Sequence, residues 1–77
     1  MTLYVKTWCP WCVRAKAWLD GHGYRYEEID VEARPDAHAE MTRLSGQRCV
    51  PTLVAGDKIL ADFGPEELEA FLKQPGI

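Results

Sequence analysis

The chain has no apolar run approaching the roughly 18 residues that a membrane-crossing helix requires, and no internal repeat, linker or low-complexity stretch. An excess of one charge sign is missing too. The formal net charge is −3 with both signs interspersed, which gives no field for grasping nucleic acid or an anionic membrane surface. Metal-ligand residues are scarce: Cys9, Cys12, Cys49, His22 and His38 are the only cysteines and histidines. Structural zinc normally takes four Cys/His ligands in two spaced pairs, and one pair is present. Three cysteines cannot complete a disulfide framework. A Cys9–Cys12 bridge would close too small a loop to stabilise the chain much through entropy. The opening residues, Met1-Thr2-Leu3-Tyr4-Val5-Lys6, include neither a basic region nor a hydrophobic signal segment, so a reducing cytoplasmic setting is expected.

What is present suits one small domain over residues 1–77, near the lower limit for a chain folding on a single apolar core. The composition, 47% hydrophobic and 27% charged, is that of a globular domain and not of a disordered chain. Leu3 to Lys6 is expected as a short strand. From Pro10 to about His22 the pattern becomes helical. Trp11, Cys12, Ala15, Trp18 and Leu19 share one face at a 3.6 period, with Arg14 and Asp20 opposite. Tyr24 to Val31 is expected as a second strand, with its alternation slipping near Glu27-Glu28. Pro35 opens a second helix with Asp36 in its first turn. Ala37, Met41 and Leu44 form its stripe, and Gly46 closes it. Thr52–Ala55 and Lys58–Ala61 flank Gly56-Asp57 as a hairpin. Gly64-Pro65 starts a third helix with Leu68, Phe71 and Leu72 buried, and Pro75-Gly76 ends the chain.

The order is therefore β-α-β-α-β-β-α. A right-handed parallel crossover followed by an antiparallel hairpin makes a four-stranded mixed sheet flanked by three helices, an α/β architecture. In "KTWCPWCVRAKAW" the two cysteines sit where the first strand hands over to the first helix. That junction is a favoured functional position in open α/β sheets. A CxxC beside a βαβ pattern reads as a thioredoxin-like redox motif. A pair of inert core thiols stays open on residue type alone.

"YVKTWCPWCVRAKAWL" and "SGQRCVPTLVAGDKIL" together resemble the dithiol glutaredoxins over nearly the whole chain. The specific marks are Lys three before the first Cys, Cys-Pro-aromatic-Cys, and a Val-Pro opening the third strand. The resemblance implies a thioredoxin-like fold and a monomeric thiol–disulfide oxidoreductase, with Cys9 and Cys12 catalytic. It implies glutathione as co-substrate and no permanently bound cofactor or metal. It also implies a cis Val50–Pro51 bond, with the Val50 backbone free to pair with an extended peptide. Glutathione would dock there, its carboxylates meeting Lys6 and backbone N–H groups near Asp62-Phe63, with Arg48 assisting. Trp11 stands where the family usually has Tyr. The tail departs: the family's Gly-Gly and acidic pair are replaced by "LADFGPEEL". That stretch is closer to the Ser-Gly-Phe-x-Pro-Asp of the glutaredoxin-like redoxins that serve ribonucleotide reductase and are reduced by thioredoxin reductase. A third alternative, a [2Fe–2S] cluster shared between two subunits, is opposed by Pro10, where cluster-binding relatives commonly have a more permissive residue.

The residues account for the chemistry. Thiolate is the attacking species. Cys9 at a helix N-terminus, with Pro10 at the first helical position, faces free N–H groups and the positive end of the helix dipole. Lys6 adds a nearby cation. Cys9 is expected to face solvent and attack, while Cys12, one turn in, resolves the mixed disulfide. Trp8 and Trp11 are either core aromatics or an apolar rim for docking. Trp18 is expected in the core, His22 and His38 facing solvent. Arg48 is equally a solvated loop charge. Cys49 is expected as a buried, inert residue, the alternative being a third thiol open to glutathionylation.

Overall fold

The computed structural model describes residues 1–75. The Gly76 half of the expected Pro75-Gly76 terminus lies outside them. The chain runs β1 (Thr2–Val5), α1 (Pro10–Gly21), β2 (Glu27–Asp30), α2 (Pro35–Ser45), β3 (Thr52–Ala55), β4 (Lys58–Ala61) and α3 (Pro65–Leu72). The sheet order is β2-β1-β3-β4. β1 pairs parallel with β2 and antiparallel with β3, and β3 pairs antiparallel with β4. This is the mixed sheet with three helices of the thioredoxin-like fold, in the order the sequence implies.

Strand alternation divides the core. Successive side chains of a strand point to opposite faces, so Leu3 and Val5 go one way and Tyr4 the other. On the first face Leu3, Val5 and Leu53 meet Cys12, Ala15 and Leu19 of α1 and Leu68, Phe71 and Leu72 of α3. On the second, Tyr4 packs with Val31 and with Ala37 and Met41 of α2. Each fully buried Leu or Met contributes about 1.5–3 kcal/mol in removed apolar surface, and Leu3, Leu19, Met41, Leu53 and Leu68 are all fully buried. Leu44 is only half-buried, so the α2 stripe is narrower than its spacing suggests. The β3–β4 turn needs a positive φ at its first central position, and Gly56 supplies it at φ 65° without the Cβ penalty of other residues.

β2 is shorter than the expected Tyr24–Val31 strand. The Tyr24 N–H donates to the Leu19 carbonyl at the end of α1 (3.0 Å), its ring stacks on Trp18 at 5.9 Å, and the Tyr26 hydroxyl donates to Asp20 at 2.9 Å. Side chains and backbone over 24–26 are thus tied back to α1, and pairing starts at Glu27, whose N–H donates to Met1 O at 2.9 Å. His22 is exposed and stacked on Trp18 at 3.8 Å. Trp18 packs partly buried against the core, and His38 is half-buried.

Candidate active site

The turn from β1 into α1 builds the site. The Cys9 N–H donates to the Lys6 carbonyl at 3.2 Å, and the Val13 N–H donates to the Cys9 carbonyl at 3.1 Å. Thr7 and Trp8 form the exposed tip between them. Cys9 is the N-cap residue of α1, extended at φ −79° and ψ 119°, with Pro10 next. No side chain caps this helix and no acidic residue occupies its first turn. An N-cap side chain lies beside the unpaired N–H groups of the second and third helical residues. Here those residues are Trp11 and Cys12, and negative charge on the Cys9 sulfur is favoured there.

Cys9 is not solvent-facing as expected. It is 7% exposed and joins the buried cluster of the first sheet face, next to Cys12 at 1%. Both are free thiols. Burial pushes the Cys12 thiol up to about 12, reinforced by donation of its S–H to the Cys9 sulfur and opposed by the Lys6 backbone N–H. Cys12 therefore holds its proton at neutral pH while supplying a hydrogen bond to Cys9. The two thiols differ in position before any substrate arrives, Cys9 at the open helix end and Cys12 one turn in and buried.

Aromatic residues frame the pair. Trp8 is 66% exposed and Trp11 50%; Trp11 leaves the core stripe on which its spacing put it. The Trp8 indole N–H donates to Glu32 at 2.7 Å, and the Lys6 ammonium lies 5.5 Å above the Trp8 ring. The Arg14 guanidinium lies 4.8 Å above the Trp11 ring. Trp11 also sits against the N-cap of α3. A Cβ placed on Gly64 would come within 3.2 Å of the Trp11 ring edge and 3.2 Å of Glu67 Oε2. A side chain at Gly64 would require the Trp11 ring and the Glu67 carboxylate to give way by a few tenths of an ångström.

The loop leading to β3 is held by a residue whose importance the sequence did not signal. The Gln47 side-chain amide donates to the Cys49 carbonyl at 3.0 Å and to Thr52 Oγ1 at 3.1 Å, and its oxygen accepts from the Cys49 N–H. Thr52 is fully buried and donates to the same carbonyl at 2.9 Å. Cys49 itself is exposed, against the expectation of a buried thiol: its backbone is clamped and its side chain is not. The Val50–Pro51 bond is cis. No hydrogen bond of the Val50 backbone occurs among the described residues. Arg48 is exposed and makes no ion pair among them.

Past β4, the Asp62 N–H donates to the Pro51 carbonyl at 3.0 Å, joining this segment to the cis-proline. Asp62 takes φ 54°, a left-handed conformation that Asp tolerates better than most residues but that Gly adopts freely. Phe63 is buried. The Gly64 N–H donates to the Glu67 carboxylate at 3.1 Å. Of the three N–H groups at Asp62, Phe63 and Gly64, only that of Phe63 is left without a partner among the described residues. The same stretch lines a cavity of about 470 Å³ together with Trp11, Pro65, Glu66 and Glu67. Among the described residues no three or more His, Cys, Asp or Glu gather as metal ligands, and no helix is long and apolar enough to cross a membrane.

Residues 1–60 match the family model for glutaredoxin. A glutaredoxin of Neisseria meningitidis serogroup A is 42% identical over 64 residues, which are 82% of this chain and 75% of that protein. The solved glutaredoxin grx-1 of Archaeoglobus fulgidus superposes with a TM-score of 0.84 at 27% identity, covering 95% of this chain and 85% of the other. The glutaredoxin-like NrdH-redoxin of Escherichia coli, described as having a thioredoxin-like activity profile, superposes with a TM-score of 0.76 at 30% identity, covering 99% and 96%.

Proposed function

The chain belongs to the glutaredoxin family of thiol–disulfide oxidoreductases, and we propose that its Cys-Pro-Trp-Cys dithiol reduces disulfides of protein substrates. The observation that supports this is the asymmetry of the pair: Cys9 at an uncapped helix N-terminus, Cys12 buried and proton-bearing beside it. The Cys9 thiolate attacks one sulfur of the target disulfide. That bond breaks, the departing sulfur leaves with the electron pair and takes up a proton, and Cys9 is joined to the target. Cys12 then gives up its proton, attacks the Cys9 sulfur and releases the second target thiol. The target has gained two electrons and two protons, and the chain holds a Cys9–Cys12 disulfide. The unpaired Val50 backbone suits an extended substrate segment lying alongside the pair. We assign the reaction to the cytoplasm, where thiols stay reduced.

Glutathione is our proposed source of electrons, as co-substrate and not as a resident group, with Lys6, Trp11, Arg48, Val50, Pro51, Asp62 and Phe63 as its surroundings. Two glutathione thiols would return the disulfide to the dithiol and leave as glutathione disulfide. A second reading has a specific observation behind it. The Asp62 and Gly64 N–H groups are already bonded, and Asp62, Glu66 and Glu67 line the space where a ligand carboxylate would lie. This weakens glutathione binding and favours the thioredoxin-reductase-dependent chemistry of the redoxins that serve ribonucleotide reductase. The test offers oxidised protein either glutathione or thioredoxin reductase with NADPH, and follows Cys9–Cys12 reduction by alkylation mass spectrometry. We expect slow but measurable reduction by glutathione. Reduction by the flavoprotein alone replaces the first reading with the second.

A further inference from the structure

The 470 Å³ cavity is lined by Trp11, one of the two residues between the cysteines, and so adjoins the redox motif. Its walls combine two kinds of chemistry. One is apolar: the half-exposed Trp11 ring, Phe63, Gly64 and Pro65. The other is anionic: Asp62, Glu66 and Glu67, with no lysine or arginine among the lining residues. Glu67 is committed to the Gly64 N–H. The exposed carboxylates of Asp62 and Glu66 have neither an ion pair nor a side-chain hydrogen bond among the described residues. The Trp11 ring already shows what it accepts, because the chain's own Arg14 guanidinium is stacked over it at 4.8 Å. An aromatic face next to unpaired carboxylates attracts a cation through both ring and charge. It disfavours the carboxylates of an acidic segment, a repulsion that sets specificity as much as any attraction does.

We propose that this groove is a docking subsite for a lysine or arginine side chain flanking the disulfide of a protein substrate, so that the chain reduces disulfides in basic segments in preference to those in acidic ones. The proposal rests on the protein-disulfide reading above. Gly64 is a positioning residue for it, since a side chain there would press on Trp11 and on Glu67 at once.

The probes are three synthetic peptides, each with one intramolecular disulfide, flanked on both sides by Arg, Asn or Glu. Second-order rates with the reduced chain are divided by the rate of each peptide with dithiothreitol, a neutral thiol that removes the peptide's intrinsic reactivity. The Arg-flanked peptide is expected to react about tenfold faster than the Glu-flanked one after this correction, equivalent to about 1.4 kcal/mol in the barrier. The ratio should shrink at high ionic strength, because the groove is open to solvent. It should fall close to one in the Asp62→Asn/Glu66→Gln double variant. Equal corrected rates for the three peptides, or a preference for Glu, overturn the subsite and leave the dithiol reading intact. An undiminished ratio in the double variant overturns the assignment to this groove. If dithiothreitol reduces all three peptides and the chain reduces none, the protein-disulfide reading fails and the subsite with it.

Discussion

Two helices of this chain start on an X–Pro step within contact of each other, α1 at Cys9–Pro10 and α3 at Gly64–Pro65. In both, the proline removes an N–H that would have had no intrahelical partner. The rest of the two starts differs. The first turn of α1 has no acidic residue and no side-chain cap, so its positive end is open and the N-cap side chain is a sulfur able to become an anion. The first turn of α3 holds Glu66 and Glu67, with the Glu67 carboxylate folded back on the Gly64 N–H. At α3 the helix's own acidic side chains therefore already face its positive end. A helix N-terminus is an anion site only while nothing in the chain already fills it. One start is arranged for a thiolate and the other for a cation.

Substitutions at these two starts test the contrast. Cys9→Ser removes the nucleophile and should lower every exchange reaction by about a thousandfold or more. Cys12→Ser should lose protein-disulfide reduction but retain cleavage of small glutathione mixed disulfides, which need only the first thiol. Alkylation mass spectrometry should label Cys9 before Cys12, and the reverse order refutes the assignment.

Cys12 also has a signature in stability against pH. Its thiol is raised from 9.0 to about 12, so the folded state favours the protonated form. That contribution is fully present below about pH 9 and is lost as the pH rises toward 12. Urea midpoints of the reduced protein should fall over this window, and Cys12→Ala should flatten part of the fall. Tyr26, raised from 10.0 to about 12 by burial and by its bond to Asp20, contributes in the upper part of the same range. A slope unchanged in Cys12→Ala would contradict the buried, protonated thiol.

At the other helix start, Gly64→Ala should cost about 1 kcal/mol and displace the Trp11 ring, seen as a lowered urea midpoint with a changed tryptophan emission. An unaltered spectrum would mean that the glycine does not set the ring. Glu66→Gln with Glu67→Gln should open the α3 N-terminus to anions and raise glutathione-dependent turnover about twofold to tenfold, since each charge near a helix end is worth about 0.3–1 kcal/mol. Ala61→Gly with Asp62→Gly should act in the same direction, by relieving the positive φ and removing one carboxylate. No gain from either pair would separate glutathione use from the charge of this start. Smallest is Lys6→Ala: loss of one solvent-screened charge should slow alkylation of Cys9 by neutral iodoacetamide about twofold at low salt. An identical rate would leave Lys6 as a partner of Trp8 alone.

Sequence periodicity and punctuation were enough for the element order, the three X–Pro helix starts, the hairpin at Gly56-Asp57 and the cysteine pair at a strand-to-helix junction. These depend on residues a few positions apart, and the 3.6 and 2 periods report such neighbours directly. Periodicity misjudged Trp11 because its ring lies against the start of α3 at Gly64, while Cys12 of the same turn packs on the sheet. It also missed Gln47, whose amide acts on Cys49 and Thr52 through geometry that no local pattern encodes. The burial of Cys9, the exposure of Cys49 and the approach of Trp11 to the acidic start of α3 were decided by tertiary structure, whereas the Gly64 N–H is taken locally by Glu67 and the Asp62 N–H by the next pair of the β3–β4 hairpin. The contacts of Trp11 with Gly64 and of Trp8 with Glu32 join residues far apart in the chain. Whether a polar group is free or already bonded depends on which distant element folds over it, and that is set only when the helices close on the sheet.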